Sequence, residues 1–258
     1  MSRKARYTKE AQENSLFIKP FIPKNSSQEF YVDTMKESTI TLCTGPAGTS
    51  KTYVAAYVAL QALLNRDIDR IILTRPIVAC EDIGFLPGDM LQKVNPYLLP
   101  LIDAVEDHIG PTRTKELFDT GRLEIIPLAY MRGRSLNRAF MILDEAQNAT
   151  IEQVKMFLTR LGYESKIVIN GDPGQSDLKP GTHNGLEWAL ERLTGVESEI
   201  GCVEFSESHI VRHPLIAKML RHLNGPGRSI KLPTVDKKKL NGGRHSFYDP
   251  EVRETRVA

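Results

Sequence analysis

The chain has 258 residues, 41% of them apolar and 26% charged, with a formal net charge of +2. Such a composition excludes a disordered, collagen-like or coiled-coil chain, and the length suits one large α/β domain or two small ones with a core that needs no staples. Three cysteines, Cys43, Cys80 and Cys202, form no C-x-x-C pair, which speaks against a disulfide framework or zinc site and for reduced thiols in a cytoplasmic protein.

The first residues, "MSRKARYTKE", lack the apolar middle of a signal peptide. No uncharged apolar run approaches the roughly 20 residues that cross a bilayer, so no membrane partner is expected. Residues 1–20 read as a basic arm, with Arg3, Lys4, Arg6 and Lys9 against Glu10. Residues 225–258 read as a flexible basic tail, and the body between them is mildly acidic. Basic ends can neutralise nucleic-acid phosphates, although composition by itself slightly favours plain solvated tails.

Residues 21–38 predict a turn and a short helix capped near Asn25 or Ser26. "TITLCT" (39–44) is a β-branched apolar strand, and "KTYVAAYVALQALLN" (51–65) is a helix apolar on most faces. "DRIILT" (69–74) is a second buried strand, stopped by Pro76. Residues 77–138 hold helical pieces that the prolines are expected to break, then a short strand, "LEIIPL" (123–128). Strands follow at 139–144, 165–170 and 201–206, with helices at 150–162, 184–193 and 213–223. Continuous apolar strands alternating with helices predict a mostly parallel sheet covered on both faces, with ligands beyond the carboxyl ends of the strands.

Three motifs fall at such strand ends. "TGPAGTSKT" (44–52) fits the phosphate-loop pattern at Gly45, Lys51 and Thr52, but Ser50 stands where the pattern has glycine. The backbone of Gly45, Pro46, Ala47, Gly48, Thr49 and Ser50 would wrap the phosphates, aided by the unpaired donors of the next helix. Lys51 would reach the β and γ oxygens, and Thr52 would place its hydroxyl on Mg2+. If position 50 needs a left-handed backbone, serine costs on the order of 1 kcal/mol, little beside several charge-assisted hydrogen bonds to a triphosphate.

"FMILDEAQ" (140–147) ends an apolar strand in two carboxylates: Asp144 to hold Mg2+ and Glu145 to orient or deprotonate the attacking water. The expectation is that this strand neighbours the lysine-loop strand. "VINGDPGQSDL" (168–178) offers Gln175 as a sensor of the γ-phosphate. Gln28, before the first core strand, carries an amide able to read both the donor and the acceptor on the edge of adenine.

Together with "ILTRPIV", "GFLPGDMLQKVNPYLLPLIDA", "PLAYMRGRSLNRAFMILDEAQNAT", "VKMFLTRLG" and "IVRHPLI", these segments resemble the PhoH-like ATPases over about residues 20–224. The resemblance implies a three-layer P-loop NTPase fold, RecA-like and similar to the first half of superfamily 1 helicases. It implies binding and hydrolysis of ATP, with RNA or single-stranded DNA as partner. It places Gln28 in the adenine-reading segment, Gly45 to Thr52 in the phosphate loop, Asp144 and Glu145 as metal and water carboxylates, and Gln175 as γ-phosphate sensor.

Phosphoryl transfer also needs a further cation, commonly an inserted arginine worth about 10³–10⁵ in rate. Arg212 in "HIVRHP" is the favoured candidate, with Arg160, Arg132 and Arg134 behind it. Either an arginine of this chain folds back in cis, or a neighbouring subunit supplies it; the second would make the protein a homo-oligomer, expected as a hexameric ring. In a ring, Arg75 and the arginines of 131–138 would line a channel for nucleic-acid phosphates. The competing expectation is a nucleotide-dependent switch or scaffold with little turnover because of Ser50. A small-molecule kinase fits less well, since no arginine-rich lid segment is seen.

Overall fold

The computed structural model describes residues 17–77 and 90–211, together with Leu215 and Met219. The chain divides into two compact units, Met1–Arg212 and His213–Ala258. Of the second unit only Leu215 and Met219 are described, both exposed. The basic arm up to residue 16, Arg212, and the rest of the expected last helix and tail lie outside the described residues.

The first unit is built on six parallel strands: β1 (Ile40–Thr44), β2 (Arg70–Arg75), β3 (Leu123–Pro127), β4 (Ala139–Leu143), β5 (Lys166–Gly171) and β6 (Ile200–Glu204). Their order across the sheet is β3-β2-β4-β5-β1-β6. Side chains alternate between two cores. Cys43, Ile71, Phe140, Ile142 and Val168 face one, and Leu42, Ile72, Met141, Leu143 and Ile169 the other. Because both faces are dry, the strands read as unbroken apolar runs.

Helices α1 (Ser26–Glu37), α2 (Lys51–Leu64) and α3 (Met90–Asp119) cover the first face. The opposite face is covered by α4 (Ile151–Leu158) and α5 (Gly185–Leu193). This is the three-layer α/β arrangement that the strand-helix alternation predicts. No helix among the described residues is long and apolar enough to cross a membrane.

Local chemistry sets the helix ends. Asn25 caps α1 by accepting from the Gln28 N–H, and Asn184 caps α5 by accepting from Leu186 and Glu187. Thr150 and Gln153 form a reciprocal capping box at the start of α4. At the far end of α1, the Lys166 ammonium donates to the carbonyls of Met35, Lys36 and Ser38 at 2.9, 2.7 and 2.7 Å. These three bonds satisfy carbonyls that a helix end leaves unpaired. Burial lowers the pKa of this lysine.

Two expectations about helix limits are corrected. The helical stretch α3 runs through Pro96 and Pro100 and breaks instead at Gly110, whose φ of 77° only glycine adopts freely. Helix α4 stops at Leu158 rather than 162, because the chain turns so that Gly162 can donate to the Leu136 carbonyl at 3.0 Å.

Candidate nucleotide site

The chemistry-bearing residues leave the carboxyl ends of four strands. Register brings them together. Thr44 of β1 lies opposite Gly171 of β5, and Thr74 of β2 lies opposite Leu143 of β4. The next residues out are therefore Gly45 beside Asp172, and Arg75 beside Asp144. Contrary to the sequence expectation, the strand that leads into the lysine loop and the acidic strand are not neighbours. Strand β5 lies between β1 and β4, so the loop from β1 crosses above the tip of β5 to reach the acids.

The loop has a dense set of internal contacts. Gly45 has φ 140°, and a Cβ built there would lie 2.5 Å from the Phe205 carbonyl oxygen. Thr49 is fully buried and donates its hydroxyl to the Pro46 carbonyl at 3.0 Å. Val211 donates its N–H to the Gly48 carbonyl at 2.8 Å, clipping the segment after β6 onto the loop. Ser50 is left-handed, at φ 68° and ψ 25°, and makes no side-chain capping bond to α2. The sequence pattern has glycine there for a reason: this backbone state is the one glycine enters without cost.

Lys51 donates to the loop's own carbonyls, Gly45 at 2.6 Å and Pro46 at 3.1 Å. Its ammonium thus lies over the loop at the mouth of α2. Thr52 donates its hydroxyl to Asp144 Oδ1 at 2.6 Å. Asp144 is almost wholly buried, and its Oδ2 accepts from Arg75 at 2.6 Å. Glu145 is left-handed at φ 53°, half exposed, and 3.8 Å from the same guanidinium.

These groups line one cleft of about 520 Å³, with Gly48, Lys51, Thr52, Asp144, Glu145 and Gln175 on its walls. A second groove of about 790 Å³ shares Glu145 and Gln175 and continues past Arg75 and Gln147. Gln175 is exposed in the turn after β5. Lys51, Thr52, Asp144, Glu145 and Gln175 are thus brought together, whereas Arg212 lies outside the described residues.

Gln28 sits behind the loop. Its amide is 1% exposed, accepts from the Lys24 N–H at 2.9 Å and donates to the Thr49 carbonyl at 3.3 Å. It ties the start of α1 to the phosphate loop. Beneath the loop, Tyr31 donates to Asn170 at 2.6 Å, and burial raises its pKa. Burial likewise pushes the Cys43 thiol up to about 12, which makes it an inert core thiol rather than a nucleophile. Tyr53, the residue after Thr52, faces the cleft and stacks on His108 with ring centroids 3.9 Å apart. Its pKa is raised, first by burial and then by Asp107.

Of the other arginines raised by the sequence, Arg132 is exposed, and Arg160, Arg134 and Arg138 are engaged elsewhere. Arg160 donates to the carbonyls of Met156 and Arg134, at 3.0 and 2.9 Å. Arg134 pairs with Glu124 at 2.8 Å. Arg138 pairs with Asp69 and Glu164, residues that precede β2 and β5 at the opposite end of the sheet. Arg75, expected to face a channel, instead turns inward onto Asp144. Sequence reading also missed Gln147, which is buried and bridges Glu145 to the backbone of Asp172. Its one signal was its place two residues after Glu145, at the end of a strand.

Thr52, Asp144 and Glu145 offer hard oxygen donors in a tight group, which fits Mg2+, a cation that keeps several waters and takes few protein ligands. Among the described residues, no three His, Cys, Asp or Glu side chains converge as a protein-only metal cage. The cation would therefore rest on Thr52, Asp144 and the phosphates of a bound nucleotide.

A family model described as PhoH-like protein matches residues 20–224. A PhoH-like protein of Bacillus subtilis (strain 168) is 50% identical over 214 residues, a span of 83% of this chain and 65% of the relative. One from Synechocystis sp. is 48% identical over 198 residues, 76% of this chain and 60% of the relative. Protein PhoH of Escherichia coli (strain K12) is 42% identical over 204 residues, 78% of this chain and 57% of the relative. The chain thus spans less than two thirds of the length of these curated relatives. Among solved structures, the Pif1 helicase from Candida albicans gives a TM-score of 0.42 at 15% identity, covering 83% of this chain and 50% of that one. The UvsW helicase from bacteriophage T4 gives 0.42 at 14% identity, covering 80% and 68%.

Proposed function

The chain belongs to the PhoH-like protein family, and on that premise we propose that it binds ATP with Mg2+ and hydrolyses it, as a ring-forming ATPase acting on RNA or single-stranded DNA. The observation that carries this reading is the convergence of Lys51, Thr52, Asp144, Glu145 and Gln175 on one cleft of about 520 Å³ at the strand ends.

Each group has a role its position allows. The loop amides and the start of α2 hold the phosphates. Lys51 exchanges its two loop carbonyls for phosphate oxygens, and Thr52 with Asp144 holds the divalent cation. That cation, when bound, offsets charge developing on the transferred group. Glu145 orients the attacking water and accepts its proton as the new P–O bond forms and the bond to the β-phosphate breaks. Gln147 holds the Glu145 carboxylate in place, through a hydrogen bond of 2.6 Å. Gln175, on the rim shared by both grooves, contacts the terminal phosphate and reports its presence.

The ring is proposed because the groove of about 790 Å³ leaves Glu145 and Gln175 open to a cation from a second copy. The nucleic-acid partner is proposed from the basic ends of the sequence. The switch or scaffold reading rests on Ser50 alone, and its left-handed backbone costs only about 1 kcal/mol.

The test is phosphate release from Mg·ATP by wild type and Lys51→Ala, with and without single-stranded RNA or DNA. Turnover that falls by about 10² or more in the variant supports the ATPase. Nucleotide uptake without turnover leaves the switch in its place. Light scattering with ATP and Mg2+ that finds only monomers removes the ring.

A further inference from the structure

We propose that Arg75 is a resident counter-ion that competes with the divalent cation for Asp144, and so sets how tightly the site takes that cation. The inference rests on the reading above only in assigning Thr52 and Asp144 to the cation.

Arg75 cannot avoid this position. It is the last residue of β2, and β2 pairs directly with β4 in a register that sets it beside Asp144. Its Nη2 lies 2.6 Å from Asp144 Oδ2, and Thr52 occupies Oδ1 at the same distance. Each oxygen that would meet a cation thus already accepts a hydrogen bond from a protein donor. The arginine is anchored from behind, where Nη1 donates to the Tyr97 carbonyl at 3.2 Å. Its side chain is 18% exposed, so it has little freedom to leave for bulk water.

Two features separate a competitor from a plain structural ion pair. The Arg75 Nε is buried and has no hydrogen-bond partner among the described residues, so this pairing leaves part of the guanidinium's donor set unused. A second carboxylate, Glu145, lies 3.8 Å from the same Nη2. When a cation takes Asp144, Arg75 has Glu145 within reach and stays in the site. A guanidinium and a divalent ion on one carboxylate repel each other, so each weakens the hold of the other. Arg75 is on this account a positioning residue, acting through Asp144.

The test uses Mn2+ as the probe and needs no nucleotide. Free Mn2+ is titrated by electron paramagnetic resonance against the full chain, as wild type, Arg75→Gln, Arg75→Lys and the double variant Arg75→Gln with Asp144→Asn. Removal of the guanidinium is expected to tighten Mn2+ binding about tenfold, the low end of what a neighbouring arginine costs another cation, the proton, on an aspartate. The gain is expected to vanish in the double variant. Arg75→Lys should fall between wild type and Arg75→Gln, because an ammonium keeps the charge but lacks the second nitrogen that anchors Arg75 on the Tyr97 carbonyl. It also keeps the test alive should the glutamine variant not fold. Equal Mn2+ affinity in wild type and whichever single variants fold would overturn the proposal. So would a gain that survives Asp144→Asn. A merely structural Arg75 would lower thermal stability and leave Mn2+ affinity untouched. Failure of the ATPase reading shows separately, as absence of phosphate release from Mg·ATP by wild type.

Discussion

Gln147 holds Glu145 to the next strand: its Nε2 donates to Glu145 Oε2 at 2.6 Å, and its Oε1 accepts from the Asp172 N–H at 3.0 Å. Gly171 is what lets the amide in, since a Cβ there would lie 2.7 Å from Gln147 Oε1. A carboxylate on a left-handed residue, half exposed, has few other restraints. Gln147→Ala should therefore leave nucleotide affinity nearly unchanged and lower turnover by about 10², the cost of misplacing a reacting group by an ångström. Calorimetry with a non-hydrolysable analogue and single-turnover phosphate release separate the two quantities. A matched loss of affinity would mean that the amide shapes the phosphate loop instead.

Ser50 sits at φ 68°, directly before α2. Glycine there relieves about 1 kcal/mol of backbone cost, but it also frees the unfolded chain, which returns much of that gain. Ser50→Gly is expected to be stable to within about 1 kcal/mol of wild type. Ser50→Val is expected to be clearly less stable, because a β-branched residue tolerates this region least. Urea unfolding ranks the three proteins. Phosphate release by Ser50→Gly then decides what the serine does to turnover. A large rise over wild type would support the switch reading, and a change of no more than about threefold would remove its main support.

Much of this was readable from the residues. Unbroken apolar runs gave the strands because both faces of the sheet are buried, and Asn25, Thr150 and Asn184 marked helix starts through their side-chain chemistry. The phosphate loop and the Asp144-Glu145 pair were legible as local strings. What the residues could not give was lateral order. Whether β1 adjoins β4 depends on long-range pairing, and β5 intervenes. The ion pair of Arg75 with Asp144 follows from that same order and its register, so an arginine ending "ILTR" looked free to face a channel. Gln147 was hidden for a related reason, since its second partner, Asp172, lies just past the end of another strand, β5.

Gly45 bears two separable constraints. Its φ is 140°, and an added Cβ would meet the Phe205 carbonyl oxygen at 2.5 Å and the Phe205 Cβ at 2.6 Å. Gly121 serves as the control, with φ 67° and nothing among the described residues within 4 Å of an added Cβ. Gly121→Ala should cost about 1 kcal/mol from the backbone alone. Gly45→Ala should cost at least about 2 kcal/mol, since the loop or Phe205 must also shift. Denaturant midpoints measure both. Equal losses would mean that the contact with Phe205 relaxes freely and only the dihedral matters.

His108 makes the fold sensitive to mild acid. It is 2% exposed and stacked on Tyr53. Its Nε2 donates to the Tyr53 carbonyl at 2.9 Å, and its Nδ1 is buried with no partner among the described residues. A proton on Nδ1 would be an unpaired charged donor in the core. Burial accordingly lowers the pKa below the ordinary 6.5, only partly opposed by the Tyr53 carbonyl and Asp107. As pH falls through 6.5 the unfolded chain takes up a proton that the folded chain refuses. Stability therefore drops with falling pH below about 6.5, by at most about 1.4 kcal/mol per pH unit for this group, and is indifferent to it above neutrality. His108→Gln keeps a donor for the Tyr53 carbonyl and does not titrate. Urea midpoints for both proteins between pH 8 and 5 isolate the effect, because other groups titrate alike in each. Wild type should lose stability faster than the variant on the acid side, and parallel curves would show that His108 is protonated as easily in the fold as outside it.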